Sequence, residues 1–278
     1  MKRELYKLYA QKLYKRFYTK KMSSKRHALL FGLNYHRTPR ARLRGCINDI
    51  NNVERMLRSS EYNFGVIHKH PDTASNPRTT HKAIIEELEA LARASVEEDL
   101  EAVWIHYSGH GCSVRDNNGD ETDRMDECLV PSDYNKGGLV RDDEIKRVLR
   151  LFNAKTRVVC IFDCCHSGTI ADLKYRFFDK NRKQVENKAP ACDARIVMLS
   201  GCLDRQTSAD AFNVNNQRKF TGAMTSCLLE SLKEGNTHGN TNVFVLLDRL
   251  RNRLVKKRFR QIPQLTCSYD LGDGDALL

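Results

Sequence analysis

The segment TRVVCIFDCCHSG, residues 156–168, joins an apolar run to a cluster of reactive side chains. Residues 158–162, VVCIF, are all apolar, and a short run of this kind is typical of a strand buried on both faces. An acid, two cysteines, a histidine, a serine and a glycine follow at once. In sheets of parallel strands, functional residues lie in loops at the carboxyl ends of the strands. The segment therefore predicts a buried strand that ends at a functional site.

A second segment, EAVWIHYSGHG at 101–111, also joins an apolar run to polar side chains and glycines. Elsewhere, short apolar runs alternate with stretches of helical period. This alternation favours an α/β fold with a mostly parallel central sheet covered by helices on both faces. The predicted strands are 27–33, 64–68, 101–108, 156–164, 194–202 and 262–268, and the predicted helices are 46–60, 76–95, 141–153, 219–234 and 241–258.

The positive charge is concentrated at the amino end. Residues 1–26 contain ten Lys or Arg and one acid, a net charge of +9, which leaves +3 of the chain's total of +12 for the remaining residues. Apolar residues of this extension recur at helix-like intervals, which fits a basic amphipathic helix that contacts an acidic membrane surface, RNA or an acidic partner. A solvated, partly disordered extension fits the same composition.

Ten cysteines are spread along the chain, and none is spaced as CxxC, so paired zinc-knuckle spacing is absent. No apolar run approaches the length of a transmembrane helix, and the first residues do not resemble a secretory signal. We therefore expect reduced thiols and a cytoplasmic location. Most of the cysteines are expected to be small core residues.

The two predicted strand ends carry the parts of a cysteine nucleophile. A thiol becomes a nucleophile when a base favours the thiolate, and histidine is the usual base. His110 follows one strand, and the pair Cys164 and Cys165 follows the next strand in this series. Neighbouring parallel strands would bring these residues together. The backbone N–H groups of Gly111 and of the nucleophilic cysteine are candidate donors to an oxyanion.

These segments resemble the histidine and cysteine motifs of the metacaspases, whose fold is the caspase–hemoglobinase fold. The resemblance extends over about 27–270 and implies a three-layer α/β/α caspase-like domain. It implies that Cys165 is the nucleophile of a cysteine endopeptidase and that His110 is its general base. The role of the neighbouring Cys164 stays open, and we expect it to be a packed thiol. The further matching segments are LRGCINDI (43–50), GDETDRMDECLVPSDY (119–134), RDDEI (141–145), SGCLDRQTSADA (200–211) and FTGAMTSCLLESL (220–232).

The same resemblance divides the chain. Residues 1–26 form the basic extension and 27–278 the peptidase domain. Within that domain, 27–171 is similar to a large subunit and 194–278 to a small subunit. The stretches 111–127 and 172–193 are polar and are expected to be irregular, and we interpret the second as an exposed connection.

The resemblance also implies cleavage after Arg or Lys, in a substrate pocket formed by Cys46, Asp49, Ser108 and Asp163. Two carboxylates in a narrow pocket attract a guanidinium or ammonium group and repel a substrate aspartate. From the residues alone, Asp49 could equally be an acid in the first turn of a helix, stabilised by the helix dipole.

A calcium site is implied at Asp126, Asp142, Asp143 and Asp172, since Ca²⁺ binds several carboxylate oxygens in flexible geometry. The acid-rich stretch 116–127 is not an EF-hand loop, because Glu121 stands where the turn glycine belongs. From the residues alone, Asp142 and Asp143 could instead cap a helix, and Asp126 could be solvated.

The expected substrates are proteins or peptides with Arg or Lys before the cut, and self-processing is expected at basic residues of 172–193 or of the extension. We expect a monomer. Two alternatives stay open at this point: an inactive scaffold with this fold, and a protein that works mainly through binding of its basic extension to nucleic acid or membrane.

Overall fold

An eight-stranded sheet forms the centre of the molecule. Its order is β2-β1-β3-β7-β10-β13-β8-β9, in which the first five strands are parallel and the last three join by antiparallel pairing. This confirms the predicted α/β class with a mainly parallel sheet. The computed structural model describes residues 24–115, 125–164, 171, 173–186, 192–201, 210–212, 220–234 and 241–278.

The parallel strands form where the sequence has short apolar runs. Five of the six strands expected from such runs are found within a few residues of their predicted bounds, and β2 is shifted by two residues or more at each end. The strands are β1 Arg26–Gly32, β2 Val66–Pro71, β3 Ala102–Ser108, β4 Gly111–Arg115, β5 Met125–Leu129, β6 Val140–Arg141, β7 Arg157–Asp163, β8 Tyr175–Phe177, β9 Lys183–Val185, β10 Arg195–Ser200, β11 Asp210–Phe212, β12 Phe220–Gly222 and β13 Gln264–Cys267.

Helices cover both faces of the sheet. The helix expected from residue 76 begins at His81, because a 3₁₀ turn at Pro77–Thr79 precedes it and the Thr80 hydroxyl caps it by accepting from the Ala83 N–H at 3.4 Å. The helices are α1 Cys46–Leu57, α2 His81–Glu97, α3 Tyr134–Gly137, α4 Asp142–Leu149, α5 Ala223–Lys233 and α6 Val243–Lys256.

Alternate residues of each central strand enter two separate cores, because successive side chains of a strand point to opposite faces. In β3, Trp104 packs in the core shared with α1, α5 and α6. Its neighbours Val103 and Ile105 pack in the core shared with α2 and α4. Both faces of the sheet are therefore buried, which explains the continuous apolar runs of the sequence.

The prediction that 111–127 and 172–193 are irregular is wrong for the described parts of both stretches. The first contains β4 and begins β5, which pair with β6 in a small antiparallel sheet. The second contributes β8 and β9 to the central sheet, where the ring of Phe177 is buried. Such short strands are stabilised by their neighbours rather than by their own apolar pattern, so the sequence shows little sign of them. The division of the domain at 172 and 193 stays a prediction.

None of the helices in the described part of the chain combines the length and the apolar character that a membrane span requires. Residues 1–23 of the basic extension lie outside the described residues, and Arg26 is already the first residue of β1.

Substitution of Gly32 by Ala should destabilise the fold, because α1 starts directly against the end of β1. A Cβ at Gly32 would lie 2.6 Å from the Cys46 carbonyl oxygen and 2.9 Å from Cδ1 of Ile50. We expect the free energy of unfolding, measured in urea, to fall by about 1–3 kcal/mol. Gly274→Ala is the matched control, since a Cβ there meets nothing within 4 Å. Equal unfolding midpoints for the two variants would contradict this packing.

Candidate active site

The two strand ends singled out in the sequence are neighbours. β3 and β7 pair in parallel with Ser108 opposite Asp163, and the Gly109 N–H donates to the Asp163 carbonyl oxygen at 3.4 Å. His110 therefore leaves the sheet beside the segment that carries the two cysteines. Cys164 is fully buried, in keeping with a packed thiol. Cys165, the predicted nucleophile, lies outside the described residues.

A backbone carbonyl orients the His110 ring. The ring nitrogen Nε2 lies 2.8 Å from the carbonyl oxygen of Ala41, the last residue of a 3₁₀ turn at Pro39–Ala41. A carbonyl oxygen can only accept, so Nε2 carries the hydrogen and the neutral ring has its lone pair on Nδ1. Nδ1 is thus the basic atom of this residue. Ala41 could not be identified from the sequence, because any residue type supplies a backbone carbonyl.

Tyr35 holds the backbone and the ring of His110. The His110 N–H donates to the Tyr35 hydroxyl at 2.8 Å, and the two rings lie with centroids 4.8 Å apart. The same hydroxyl donates to the Val130 carbonyl oxygen at 2.7 Å. Burial raises the pKa of Tyr35 well above its ordinary value, so the phenol keeps the hydrogen that it donates. Gly111, the predicted oxyanion donor, is the first residue of β4, opposite Leu129.

Asp49 is a fully buried acid in the first turn of α1. It accepts a hydrogen bond from the Ser108 hydroxyl at 2.7 Å, and the Gly222 N–H donates to its two oxygens at 2.9 and 3.0 Å. Two of the predicted pocket residues thus contact each other. A third, Cys46, is buried at the start of the same helix, and its N–H donates to Oδ1 of Asn34 at 3.1 Å.

Asp163, the fourth predicted pocket residue, is bound at the amino end of α5. Its Oδ2 accepts from both the N–H and the hydroxyl of Thr225, at 2.8 and 2.7 Å. Thr225 is the third residue of α5, where the helix dipole also favours a negative charge. Because the hydroxyl hydrogen is given to Asp163, the contact of 3.3 Å between Thr225 Oγ1 and His106 Nε2 is a donation from the histidine.

Gly222 separates the two carboxylates. A Cβ built on this residue would lie 2.3 Å from Oδ2 of Asp163 and 2.7 Å from Oδ2 of Asp49, so these two oxygens are no more than about 5 Å apart. Two buried carboxylate oxygens at this separation can bind one guanidinium or ammonium group between them. The sequence did not indicate Gly222, Thr225 or His106, whose importance arises from their positions in space.

The predicted calcium ligands are only partly brought together. Asp126 forms an ion pair with Arg141, and its other oxygen, Oδ1, is buried with no hydrogen-bond partner among the described atoms. Asp142 accepts from the Glu127 N–H at 2.7 Å and from the N–H of Asp143 at 2.8 Å. Within the described ranges, no three His, Cys, Asp or Glu residues are grouped to hold a metal ion. Asp172 lies outside those ranges.

Comparisons with known proteins agree with this geometry. A family model described as metacaspase, peptidase C14 domain, matches residues 26–174. Metacaspase-3 of Trypanosoma brucei brucei is 31% identical over 258 residues, which cover 87% of this chain and 70% of the relative. Metacaspase-1 of Mycosarcoma maydis is 30% identical over 305 residues, which cover 92% and 73%.

Two solved structures share the fold. A protein of Geobacter sulfurreducens superposes with a TM-score of 0.60 at 24% identity, covering 89% of this chain and 94% of that one. Caspase-1 of Spodoptera frugiperda superposes with a TM-score of 0.54 at 12% identity, covering 88% of each chain. The fold is therefore caspase-like.

Substitution of His106 by Gln should reduce the fall in the free energy of unfolding as the pH is lowered. Burial lowers the pKa of His106 from 6.5 to about 3. Between these values the unfolded chain binds a proton that the folded chain does not, so this histidine makes stability fall as the pH falls. We expect urea unfolding from about pH 7 to about pH 4.5 to lose a slope of up to about 1.4 kcal/mol per pH unit in His106→Gln. The exposed His36→Gln is the control, and parallel profiles for both variants would contradict the assignment.

Proposed function

The chain belongs to the metacaspase family of cysteine peptidases, and from this premise we propose that it cleaves peptide bonds after Arg or Lys, with Cys165 as nucleophile and His110 as general base. The observation that carries the specificity is the approach of the Asp49 and Asp163 carboxylates to within about 5 Å, next to the strand ends that bear the two motifs. Acid pairs of this kind recognise cations.

The reaction starts with transfer of the Cys165 thiol proton to Nδ1 of His110. The Ala41 carbonyl, at 2.8 Å from Nε2, stabilises the imidazolium that forms. The thiolate then attacks the carbonyl carbon before the scissile bond, and the backbone N–H groups of Gly111 and Cys165 receive the negative charge of the oxyanion. His110 returns its proton to the leaving amine, and water hydrolyses the acyl-enzyme.

Neutral donors hold the pocket acids in place. Ser108 and Gly222 donate to Asp49, and Thr225 donates to Asp163. A substrate Arg or Lys supplies the positive charge that these two acids attract, and a substrate Asp in the same place meets repulsion. The pocket therefore selects the substrate by charge.

A panel of fluorogenic peptides with Arg, Lys or Asp before the reporter tests the reaction and the pocket together. We expect kcat/KM for Arg and Lys peptides to exceed that for Asp peptides by at least about 100-fold, because juxtaposed like charges cost several kcal/mol. Cys165→Ala should lose activity, and Cys164→Ser should keep it.

Asp163→Asn keeps the shape of the pocket and removes one charge, so we expect it to lower kcat/KM for the Arg peptide by about 100-fold, within the range for loss of a buried charged partner. The exposed Asp248→Asn is the matched control. Cleavage of the Asp peptide by the wild type, or full activity of Asp163→Asn, would refute the proposed specificity.

We also propose that Ca²⁺ stimulates the enzyme by binding at Asp126, Asp142, Asp143 and Asp172. Two observations support this placement. Oδ1 of Asp126 is buried without a hydrogen-bond partner among the described atoms, and Asp142 accepts a hydrogen bond from the N–H of Glu127, the residue after Asp126. Ca²⁺ would supply positive charge that holds these acids together. The pairing of Asp126 with Arg141 means that binding must displace or accommodate that arginine.

Calcium dependence has a direct test. We expect calcium to bind the chelator-treated protein in a calorimeter and to raise kcat/KM for the Arg peptide, and we expect Asp143→Asn to weaken binding by at least about 10-fold, as loss of a charged ligand does. Asp248→Asn should bind like the wild type. Equal activity in chelator and in calcium, or unchanged binding by Asp143→Asn, would argue against the site.

Self-processing is proposed at basic residues of 172–193 other than Arg176, or in the basic extension. Arg176 of β8 pairs with Thr266 on one side and Gln184 on the other, so it cannot lie extended in an active-site cleft while the sheet is intact. Lys188 lies outside the described residues.

We propose a cytoplasmic monomer whose basic extension contacts acidic surfaces. The edge of the central sheet beyond β13 supports the monomer. The edge strand there is β9, which has three residues and carries Lys183. Short charged edge strands are poor templates for pairing with a second chain.

A further inference from the structure

Two free cysteines face each other beside the catalytic histidine. Cys112 of β4 lies directly opposite Cys128 of β5 in the antiparallel register. Residues opposite each other in such a pair have Cα atoms about 4.5–5.5 Å apart, which is within the range that a disulfide bridges. Cys112 is partly exposed and Cys128 is fully buried.

The two thiols differ in access. Cys112 is partly exposed, so a small oxidant can reach its sulfur, whereas Cys160, Cys227 and Cys267 are buried. Cys128 stands directly opposite Cys112, where a resolving thiol is needed.

We propose that Cys112 and Cys128 are a modification site that hydrogen peroxide converts to a reversible disulfide, distinct from the catalytic Cys165. The Cys112 thiolate attacks one peroxide oxygen, so that an S–O bond forms, the O–O bond breaks, and hydroxide leaves and takes a proton to become water. The Cys128 sulfur then attacks the sulfenic sulfur of Cys112, which forms the S–S bond and releases a second water. Two thiols are oxidised, and one peroxide is reduced to two water molecules.

The position of the pair connects it with the active site. β4 begins directly after His110, and the Val130 N–H that follows β5 donates to the His110 carbonyl oxygen at 3.1 Å. The disulfide joins the two strands two residues from this contact. It also captures the sulfenic acid before further oxidation makes the damage irreversible.

Peptide mapping of the full-length Cys165→Ala variant tests the site without interference from the catalytic thiol. Trypsin cleaves after Arg93, Arg115, Arg124 and Lys136, so the partners fall in separate peptides with one cysteine each, 94–115 and 125–136. After hydrogen peroxide and alkylation, we expect these peptides as one linked species that dithiothreitol separates. Cys112→Ser should abolish the species, and Cys128→Ser should leave a sulfenic acid on Cys112 that dimedone labels.

The proposal fails if both peptides are recovered as alkylated thiols after peroxide, if Cys112 is recovered as a sulfinic acid, or if it is linked to another cysteine. Cys112→Ser replaces a partly exposed thiol by a residue of similar size, so the comparison stands even if the buried Cys128→Ser does not fold. A linked species that persists in Cys112→Ser would also overturn the assignment.

Discussion

The parallel pairing of β3 with β7 is the contact on which the rest of the site depends. The register runs without interruption from Ala102 opposite Arg157 to Ser108 opposite Asp163. Both strands are buried on both faces, and a slip of one residue would exchange the side chains of the two cores. The packing that fixes this register therefore also fixes where His110 leaves the sheet and where Asp163 points.

The two acids of the proposed pocket, Asp49 and Asp163, come from different parts of the chain, and their burial is costly. Their charge is stabilised by donors from a strand end, a short hairpin and a helix terminus: Ser108, Gly222 and Thr225. Gly222 has a second role, since a side chain there would collide with both carboxylates. The proposed pocket thus combines Asp49 of α1 and Asp163 of β7 with donors from β3, β12 and α5.

His110 is held by groups that have no catalytic chemistry of their own. Tyr35 binds its backbone and packs on its ring, the Ala41 carbonyl selects its tautomer, and the ribbon β4–β5 binds its carbonyl oxygen through Val130. Cys112 and Cys128 lie in this ribbon. The proposed disulfide between them would act on the element that binds His110, the proposed base.

The sequence alone is enough to predict the α/β class, the central strands and the position of the two motifs at strand ends, because buried parallel strands leave continuous apolar runs and the motifs follow them directly. Asp49 and Asp163 were predicted through the family resemblance, and the fold brings them together. The folded chain alone reveals the contacts of Ala41, Tyr35, Gly222, Thr225 and His106, the pairing of Cys112 with Cys128, and the entry of β8 and β9 into the sheet. A local pattern reports how a segment is buried, but it carries no information on which distant backbone group or side chain will lie against it. That choice is made by strand register and by the packing of helices on the sheet.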